Sequence, residues 1–421
     1  MHRRTRATAW LARSAAAAAW ATCAWTAQAQ TNTMGAEPAN LKQVFEAAWA
    51  RQPEALALQA RRDAARAQQQ AARSWTPEPA ALELSNKTDR LNRNQGAREL
   101  EVGIAVPIWL PGERSRSAAL ADAEGTALES RASAARLRLA ATVRDAWWQW
   151  FRARIETDSA RDQLDNTRRI AADVSKRTRA GDLARADQHQ ADGAVAAAES
   201  SLAQATASLA AAQQQLRFIA GSSPAVGSDS GLAEPDPGGE PAEVEGHAAV
   251  QALKDRASVA ERTAALTSAQ SRANPELTLA TTRERGVFGE ISQQTITLGV
   301  RIPFGGGPRH DARTAKARAE ATEVQAELAL ERERLAAERE AARVRVEAAR
   351  TQLASAERRA QLARESRGFF DRSFRLGETD LPTRLRIEAE AAEAERQAAR
   401  TRIELAAAIS AWRQALGLLP Q

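Results

Sequence analysis

The chain repeats itself after 196 residues. Gly-Ile-Ala-Val-Pro at 103–107 corresponds to Gly-Val-Arg-Ile-Pro at 299–303, and Arg-Ala-Gly-Asp at 179–182 corresponds to Arg-Leu-Gly-Glu at 375–378. Pro79 and Pro275 share the same offset. Three landmarks without a net insertion between them indicate a tandem duplication. We therefore predict a first repeat over 30–221 and a second over 242–421, joined by a Pro- and Gly-rich linker over 222–241.

Residues 1–29 have the pattern of a secretory signal peptide. Arginines at the start are followed by the short apolar stretch 14–25 and by Ala27-Gln28-Ala29, a small-x-small cleavage site. An Ala-rich helix is the alternative interpretation. Cys23 is the only cysteine, and lipidation there is a further alternative. Cleavage after Ala29 predicts a mature protein without disulfides in the envelope of a bacterium.

The formal charge of +6 does not indicate a nucleic-acid partner. Four of the arginines lie in the predicted signal peptide, and the remaining basic and acidic residues nearly balance. Arginine and glutamate alternate along helical stretches instead of forming basic blocks. This pattern is typical of solvated helix faces with local ion pairs.

Each repeat is predicted to contain a helix, two strands, a long helix, a tight turn and another helix. Strict alternation of apolar with small or polar residues predicts strands near 98–108 and 291–302, with shorter partners near 80–87 and 276–283. The apolar face covers a soluble core or contacts lipid. Trp75, Trp109 and Phe304 near the strand ends favour lipid, with the polar face lining a water-filled lumen. Four strands cannot close a barrel, so several protomers are required.

Two stretches without internal proline, from Gly112 to about Arg179 and from Pro308 to about Arg375, predict helices of roughly 100 Å. Their apolar residues alternate spacings of four and three, which is a coiled-coil seam. The seam runs through Ala342, Val346, Ala349, Leu353, Ala356, Ala360 and Ala363, and through Ala146, Trp150, Ala153, Thr157, Ala160, Leu164 and Thr167. The fold class is thus mostly α with a small β part. The neighbouring aromatics Trp147, Trp148 and Phe151 are interpreted as helix contacts.

Signatures of catalysis are missing from the sequence. It has no nucleophile elbow, phosphate-binding loop or zinc-ligand pair, and His189, His247 and His310 are isolated. We therefore predict no catalytic residue, no cofactor and no metal ligand, and a protein that is not an enzyme.

The segments that join strand to helix, 106–112 (VPIWLPG) and 302–308 (IPFGGGP), and the turns at 179–183 (RAGDL) and 375–379 (RLGET) carry a resemblance. With the duplicated helix and strand pattern, they resemble the TolC-like outer-membrane factors, the outer membrane efflux proteins. The resemblance implies a homotrimer with a 12-stranded β-barrel in outer-membrane lipid and an α-helical periplasmic tunnel. It also implies a periplasmic adaptor and an inner-membrane RND-type pump as partners, and a passive exit duct in a tripartite efflux system.

The same resemblance implies roles for single residues. The adaptor would dock on helix-turn-helix tips formed by Arg179, Gly181, Leu183, Arg375, Gly377 and Thr379. The strand-to-helix swivels would contain Pro107, Pro111, Gly112, Pro303, Gly305 and Pro308. Asp187, six residues past a tip glycine, is the gate candidate at the tunnel mouth. The short chain and its Trp-Leu-Pro-Gly swivel resemble the heavy-metal branch (cobalt-zinc-cadmium or copper-silver), which implies a role in metal resistance. A drug or organic-solute duct and a soluble periplasmic coiled-coil scaffold are the alternatives.

Overall fold

A computed structural model describes residues 40–92, 94–221, 233–237 and 243–421. The predicted signal peptide and most of the predicted linker lie outside these residues. The described chain contains seven α-helices and four strands in the order α1 Leu41–Ala50, α2 Pro53–Ala72, β1 Ala81–Thr88, β2 Arg98–Pro107, α3 Glu113–Ala180, α4 Arg185–Ala220, α5 Ala248–Ala269, β3 Glu276–Arg285, β4 Gln293–Arg301, α6 Gly307–Arg375 and α7 Leu381–Ala415. The prediction of a mostly α fold with a small β part is confirmed.

The first helical segment is broken where proline forbids its continuation. Asn40 caps α1 by accepting a hydrogen bond from the backbone N–H of Gln43 at 2.9 Å. Pro53 then takes the first position of α2, where its missing N–H costs nothing.

The four strands form one antiparallel sheet in the order β1-β2-β3-β4, so both outer strands have an unpaired edge. Directly paired residues point to the same face. One row therefore consists of Leu82, Ile104, Leu279 and Leu298, and the row beside it on the other face consists of Glu83, Gly103, Ala280 and Thr297. We call these the apolar face and the polar face.

The apolar face is uncovered. Its large side chains are exposed by between 36% and 76%: Leu82, Leu84, Leu100, Val102, Ile104, Leu277, Leu279, Ile296, Leu298 and Val300. A sheet that covered a soluble core would bury this face against helices, and no described helix packs on it. An exposed apolar surface of this size indicates a partner surface or lipid.

The helices form two layers, one beside the sheet and one towards the other end of the long helices, and both layers begin with a helix of the first repeat and end with α6. Beside the sheet, α3 packs against α2 and α5, and α5 packs against α6. Towards the other end of the long helices, α3 packs against α4 and α7, and α7 packs against α6. The predicted seams form these contacts: Val346 and Ala349 pack with Ala408, and Ala360 packs with Ala394. Small residues in the seam allow the helix axes to approach closely.

The main core lies where α1, α3, α4 and α7 meet. Trp147, Trp148, Trp150 and Phe151 pack there with Phe45, and each is at most 8% exposed. Trp150 and Phe151 meet edge-on with ring centroids 4.6 Å apart. These aromatics are helix contacts, as predicted.

The described part of the linker is held by buried charge. The carboxylate of Glu234 accepts two hydrogen bonds from Arg144 of α3, at 2.7 and 2.9 Å, and one each from Arg413 and Ser410 of α7. The side chains of Glu234, Arg144 and Arg413 are between 2% and 4% exposed. A buried carboxylate between two guanidiniums therefore joins the linker to both repeats.

None of the described helices combines the length and apolarity needed to cross a membrane.

Candidate functional site

Both ends of the helical layers carry the residues singled out in the sequence. At one end each repeat passes from a strand to a long helix, and at the other end each helical hairpin turns. Within the described residues no group of three His, Cys, Asp or Glu side chains is arranged to hold a metal ion.

The first strand-to-helix junction is a tight bend between β2 and α3. Gly112 has a positive φ of 75°, which a residue with a Cβ rarely adopts. Trp109 donates its indole N–H to the carbonyl of Ser74 at 3.2 Å, and Arg114 donates to the carbonyl of Arg73 at 2.6 Å. These bonds attach the junction to the end of α2. Pro107 ends β2, and Pro111 lies one residue before Gly112.

The second junction uses glycine for close approach. Gly305 has a positive φ of 129°, and a Cβ on Gly306 would lie 2.9 Å from the carbonyl oxygen of Ser271. Pro303 follows β4, and Pro308 occupies the first turn of α6. The predicted swivel residues therefore form the two bends, and their role as swivels stays a prediction.

A buried residue that the sequence pattern did not indicate joins the first junction to the segment between α5 and β3. Glu113, in the first turn of α3, is 2% exposed. Its carboxylate accepts hydrogen bonds from the backbone N–H of Leu110 at 2.9 Å, from Gln270 at 2.8 Å and from Asn274 at 3.0 Å. The 196-residue offset gives no signal here, because Arg309 occupies the corresponding position in the second repeat.

The tip between α3 and α4 is an open turn. Gly181 has a φ of 90°, and a Cβ there would meet no atom within 4 Å. Arg179 is exposed and donates to the carbonyl of Ser175 at 3.2 Å. Leu183 is half-buried beside a small core that includes Val174. The turn therefore presents a cation and an open backbone, while its leucine packs inward.

The tip between α6 and α7 has the same geometry. Gly377 has a φ of 80° with open space around it. Arg375 pairs with Asp371 at 2.5 Å, and Thr379 shares a hydrogen bond with Ser373 at 2.6 Å. The structure thus places the six predicted tip residues on two exposed turns at the same end of the helical hairpins.

Asp187, the gate candidate, has a role within the chain. Its carboxylate accepts a hydrogen bond from the backbone N–H of Ala184 at 3.0 Å at the start of α4. At the start of α7 the arrangement is reversed: Asp380 is the N-cap residue, and its carboxylate accepts from the backbone N–H of Thr383 at 3.2 Å. Hydrogen bonds from Thr383 hold the pKa of the Asp380 carboxyl below its ordinary value. The gate role of Asp187 stays a prediction.

In the first turn of α7, next to the tips, Arg384 joins the two repeats. It pairs with Asp371 of α6 at 2.8 Å and with Asp173 of α3 at 3.5 Å. The guanidinium carbons of Arg384 and Arg177 lie 4.6 and 4.8 Å from the ring centroid of the buried Phe374. Cation–π contacts and ion pairs together hold the two hairpins side by side at this end.

Comparisons with known proteins agree with this architecture. Residues 44–222 match the sequence model of the family described as outer membrane efflux protein. No curated protein sequence matches the chain. Among solved structures, the channel protein CusC superposes with a TM-score of 0.75 at 15% identity, covering 90% of this chain and 92% of that one.

Two further outer-membrane proteins have the same fold. VceC from Vibrio cholerae gives a TM-score of 0.69 at 18% identity over 90% of this chain and 96% of its own. The outer-membrane channel OprN gives 0.70 at 20% identity over 90% and 89%.

The fold of the described chain is thus that of solved outer-membrane channels, and residues 44–222 match the family model of outer membrane efflux proteins. The resemblance predicted from the sequence is therefore confirmed by a family match over residues 44–222 and by the fold of the described chain.

Proposed function

We propose that the protein is the trimeric exit duct of a tripartite efflux system, and that copies assemble side by side through two complementary edges. The observation that carries the proposal is the constant order of the three layers. The sheet runs β1 to β4, the adjacent helices run α2-α3-α5-α6, and the distal helices run α4-α3-α7-α6. One edge always belongs to the first repeat and the other to the second.

Such an arrangement supports a closed ring. If the first-repeat edge of one copy fits the second-repeat edge of the next, the copies associate head to tail. Such contacts form a closed ring when the rotation from one copy to the next is a whole-number fraction of a full turn. Pairing β1 of one copy with β4 of the next removes the unpaired strand edges. Three copies supply twelve strands, which gives a barrel with a lumen between the polar faces.

The outer helices carry surfaces suited to this contact. Opposite its packed side, α4 has an exposed uncharged stripe with alternating three- and four-residue spacing: Gly193, Ala196, Ser200, Ala203, Ala207, Ala210 and Gln214. The corresponding side of α6 exposes Val344, Ala348, Thr351 and Ser355 at the same spacing, followed by Arg358 and Arg359 and then Leu362. These spacings match those of the seams already used inside the protomer, so the same packing can continue between copies.

The trimer is tested by placing charge in one stripe. Ala203→Arg puts a guanidinium into the proposed contact and is expected to shift the detergent-solubilised protein from trimer to monomer. Ala197→Arg, exposed on α4 about a third of a turn away from Ala203, is the matched control and leaves the trimer intact. Mass measured by light scattering in detergent gives the result. A monomeric wild type, or a trimeric Ala203→Arg variant, contradicts the proposed contact.

The exposed apolar face favours the duct over the soluble periplasmic scaffold, because a scaffold would cover that face. For the partners, the two exposed tips support docking to a periplasmic adaptor, through which an inner-membrane RND-type pump delivers substrate. Site-specific photocrosslinking from Leu376, which is 74% exposed beside Gly377, tests this contact in intact cells.

We further propose heavy-metal cations as the exported substrate, on the resemblance of the Trp109–Gly112 swivel to the heavy-metal branch. A passive duct needs no metal ligand of its own, since the pump selects. Deleting the gene and measuring growth inhibition by cobalt, zinc, cadmium, copper and silver tests the proposal. Sensitivity to drugs or organic solutes alone would support the alternative substrate class within the same fold.

A further inference from the structure

Charged residues at the loop end of the sheet are sorted by face. The strand ends contain Arg98-Glu99 and Arg283-Glu284-Arg285. Successive side chains of a strand point to opposite faces. The three arginines therefore share the apolar face with Leu100 and Val102, while the two glutamates lie on the polar face.

The pairing register concentrates this positive charge. Arg98 lies directly opposite Arg285, and Arg283 lies opposite Leu100. Like charges in directly opposed positions repel each other. Within the described residues, none of the three arginines forms an ion pair with an acidic side chain. Arg285 is oriented instead by donating to the carbonyl of Gly96 at 3.2 Å and by contact with the ring of Phe288, 5.8 Å from its guanidinium carbon.

The acids nearby are occupied elsewhere. Asp89 accepts from the backbone N–H of Gln95 at 2.6 Å, and Glu290 accepts from two backbone N–H groups of its own loop at 2.8 and 3.1 Å. On the polar face, Glu99 pairs with Lys87 at 2.9 Å, and Glu284 points to the same side. Within the part of the chain that the structure describes, the arginine cluster therefore has no acidic partner and is free to bind an anion from outside the chain.

Its position relative to the apolar face indicates which anion. The cluster borders the band of exposed leucine, isoleucine and valine at the end of the sheet farthest from the helices. If the apolar face contacts lipid, as the proposed function requires, this end lies at the headgroups of the outer leaflet. We propose that Arg98, Arg283 and Arg285 bind the phosphates of the outer-leaflet glycolipid, the lipid A part of lipopolysaccharide.

The chemistry fits this partner. Guanidinium groups bind phosphate oxygens in pairs and hold their charge at any pH of the cell surface. Lipid A carries its phosphates on a compact disaccharide, so adjacent strands that present two arginines about 5 Å apart can hold one phosphate between them. Leu91 and Ile291, which are 98% and 87% exposed in the loops, add apolar surface beside the acyl chains.

The test uses the full-length protein in mild detergent, titrated with purified lipid A, with phosphatidylglycerol or with inorganic phosphate. Native mass spectrometry measures binding. The triple variant Arg98→Gln/Arg283→Gln/Arg285→Gln is compared with Lys87→Gln/Arg90→Gln/Arg301→Gln, which removes the same charge from the polar face and the loop. We expect lipid A affinity to fall by about tenfold or more in the first variant and by less than about twofold in the second.

Each outcome decides the proposal. Unchanged lipid A affinity in the first triple variant overturns it, and so does wild-type binding of phosphatidylglycerol or phosphate as tight as that of lipid A. The same spectra give the mass of the protein assembly, so the test of the trimer is read separately from the test of lipid binding. A monomer that binds lipid A through these arginines would contradict the trimer and support the lipid site, whereas a trimer with arginine-independent binding overturns the lipid site alone.

Discussion

The carboxylate of Glu113, at the start of α3, accepts a hydrogen bond from the side-chain amide of Asn274, two residues before β3, at 3.0 Å. The contact joins the first strand-to-helix bend to the chain that enters the second pair of strands. No cation neutralises this buried carboxylate among its hydrogen-bonding partners, and all three of them are neutral N–H donors. Glu113 therefore orients the sheet relative to the helices through hydrogen bonds alone.

Glu113→Gln is expected to destabilise the folded protein by about 1–3 kcal/mol, because one carboxylate oxygen becomes an N–H₂ group that faces a donor. If the remaining oxygen keeps the hydrogen bonds from Leu110 and Asn274, the donor left without an acceptor is the amide of Gln270. Thermal unfolding followed by circular dichroism measures the change. Asp122→Asn is the control, because Asp122 lies on the same helix as Glu113 and forms only an exposed ion pair with Arg73. Its loss should cost less than about 1 kcal/mol. Equal effects of the two substitutions would argue against the role of Glu113 as a joint.

Glu234→Gln is expected to destabilise the folded protein more than Glu113→Gln does, because it leaves Arg144 and Arg413 buried without a negative partner. Breaking a buried ion pair in this way costs about 3–5 kcal/mol. The measurement is the folded yield in outer-membrane fractions, together with the thermal midpoint of the purified protein. Asp236→Asn in the same linker segment removes only a partly exposed pair with Arg350 and should leave both values close to wild type. A stable Glu234→Gln protein contradicts the prediction.

His247 predicts a loss of stability in acid. Burial, reinforced by the nearby charge of Arg339, lowers the pKa of the imidazole below its ordinary value of 6.5. The neutral ring caps α5 by accepting from the backbone N–H of Ala249 at Nδ1, at 3.2 Å. Below pH 6.5 the unfolded chain binds the proton more readily than the folded one, so stability falls as the pH drops towards the folded pKa and is fully present above 6.5.

The thermal midpoint measured across this pH range tests the prediction. His247→Asn keeps a capping oxygen without a titrating ring, so it should flatten the pH dependence on the acidic side. His189→Gln replaces an exposed histidine on α4 and should leave the dependence unchanged. A His247→Asn variant with the wild-type acid response would show that other groups cause it.

Gly377→Val is expected to abolish transport without reducing the amount of membrane-inserted protein. A β-branched residue at a φ of 80° is strained by about 1–2 kcal/mol and reshapes the exposed tip. Gly368→Ala, inside α6 with open space around it, should be neutral. Growth in the presence of the exported compound is compared with the protein level in the outer membrane. Wild-type resistance in Gly377→Val cells would argue against docking through this tip.

Leu298→Arg and Thr297→Arg place the same charge on opposite faces of β4. Leu298 is 71% exposed on the apolar face, where an arginine in lipid costs about 2–4 kcal/mol near the membrane midplane. Thr297 is on the polar face, where an arginine meets water. We expect Leu298→Arg to reduce the amount of folded protein that resists heating in outer-membrane fractions, and Thr297→Arg to leave that amount unchanged. The reverse result would invert the assignment of the two faces.

Local periodicity was sufficient to locate the principal elements. Alternation with a period of two identifies the strands because successive side chains must face opposite sides, and the three-four seams identify helices that pack along their whole length. The glycines of the tips were recognisable because 181 and 377 recur at the repeat offset and both adopt a positive φ.

The buried polar contacts were not predictable in this way. Glu113 with Asn274, Glu234 with Arg144, and Arg384 with Asp173 join positions that are far apart in the sequence and break the repeat. A charged residue on an Arg- and Glu-rich helix has the same local signature whether it is solvated or buried. Only the packing of one helix on another determines which carboxylate loses its water and needs a partner.

The sequence by itself therefore determined the duplication, the strands, the long helices and the turns between them, because each follows from spacings within one segment. The tertiary structure decided which faces stay exposed and which charges are buried, because burial depends on neighbours from the other repeat. The three arginines at the loop end illustrate the difference. Their alternation with glutamate is visible in the sequence, but their grouping on one face depends on the register of β2 with β3.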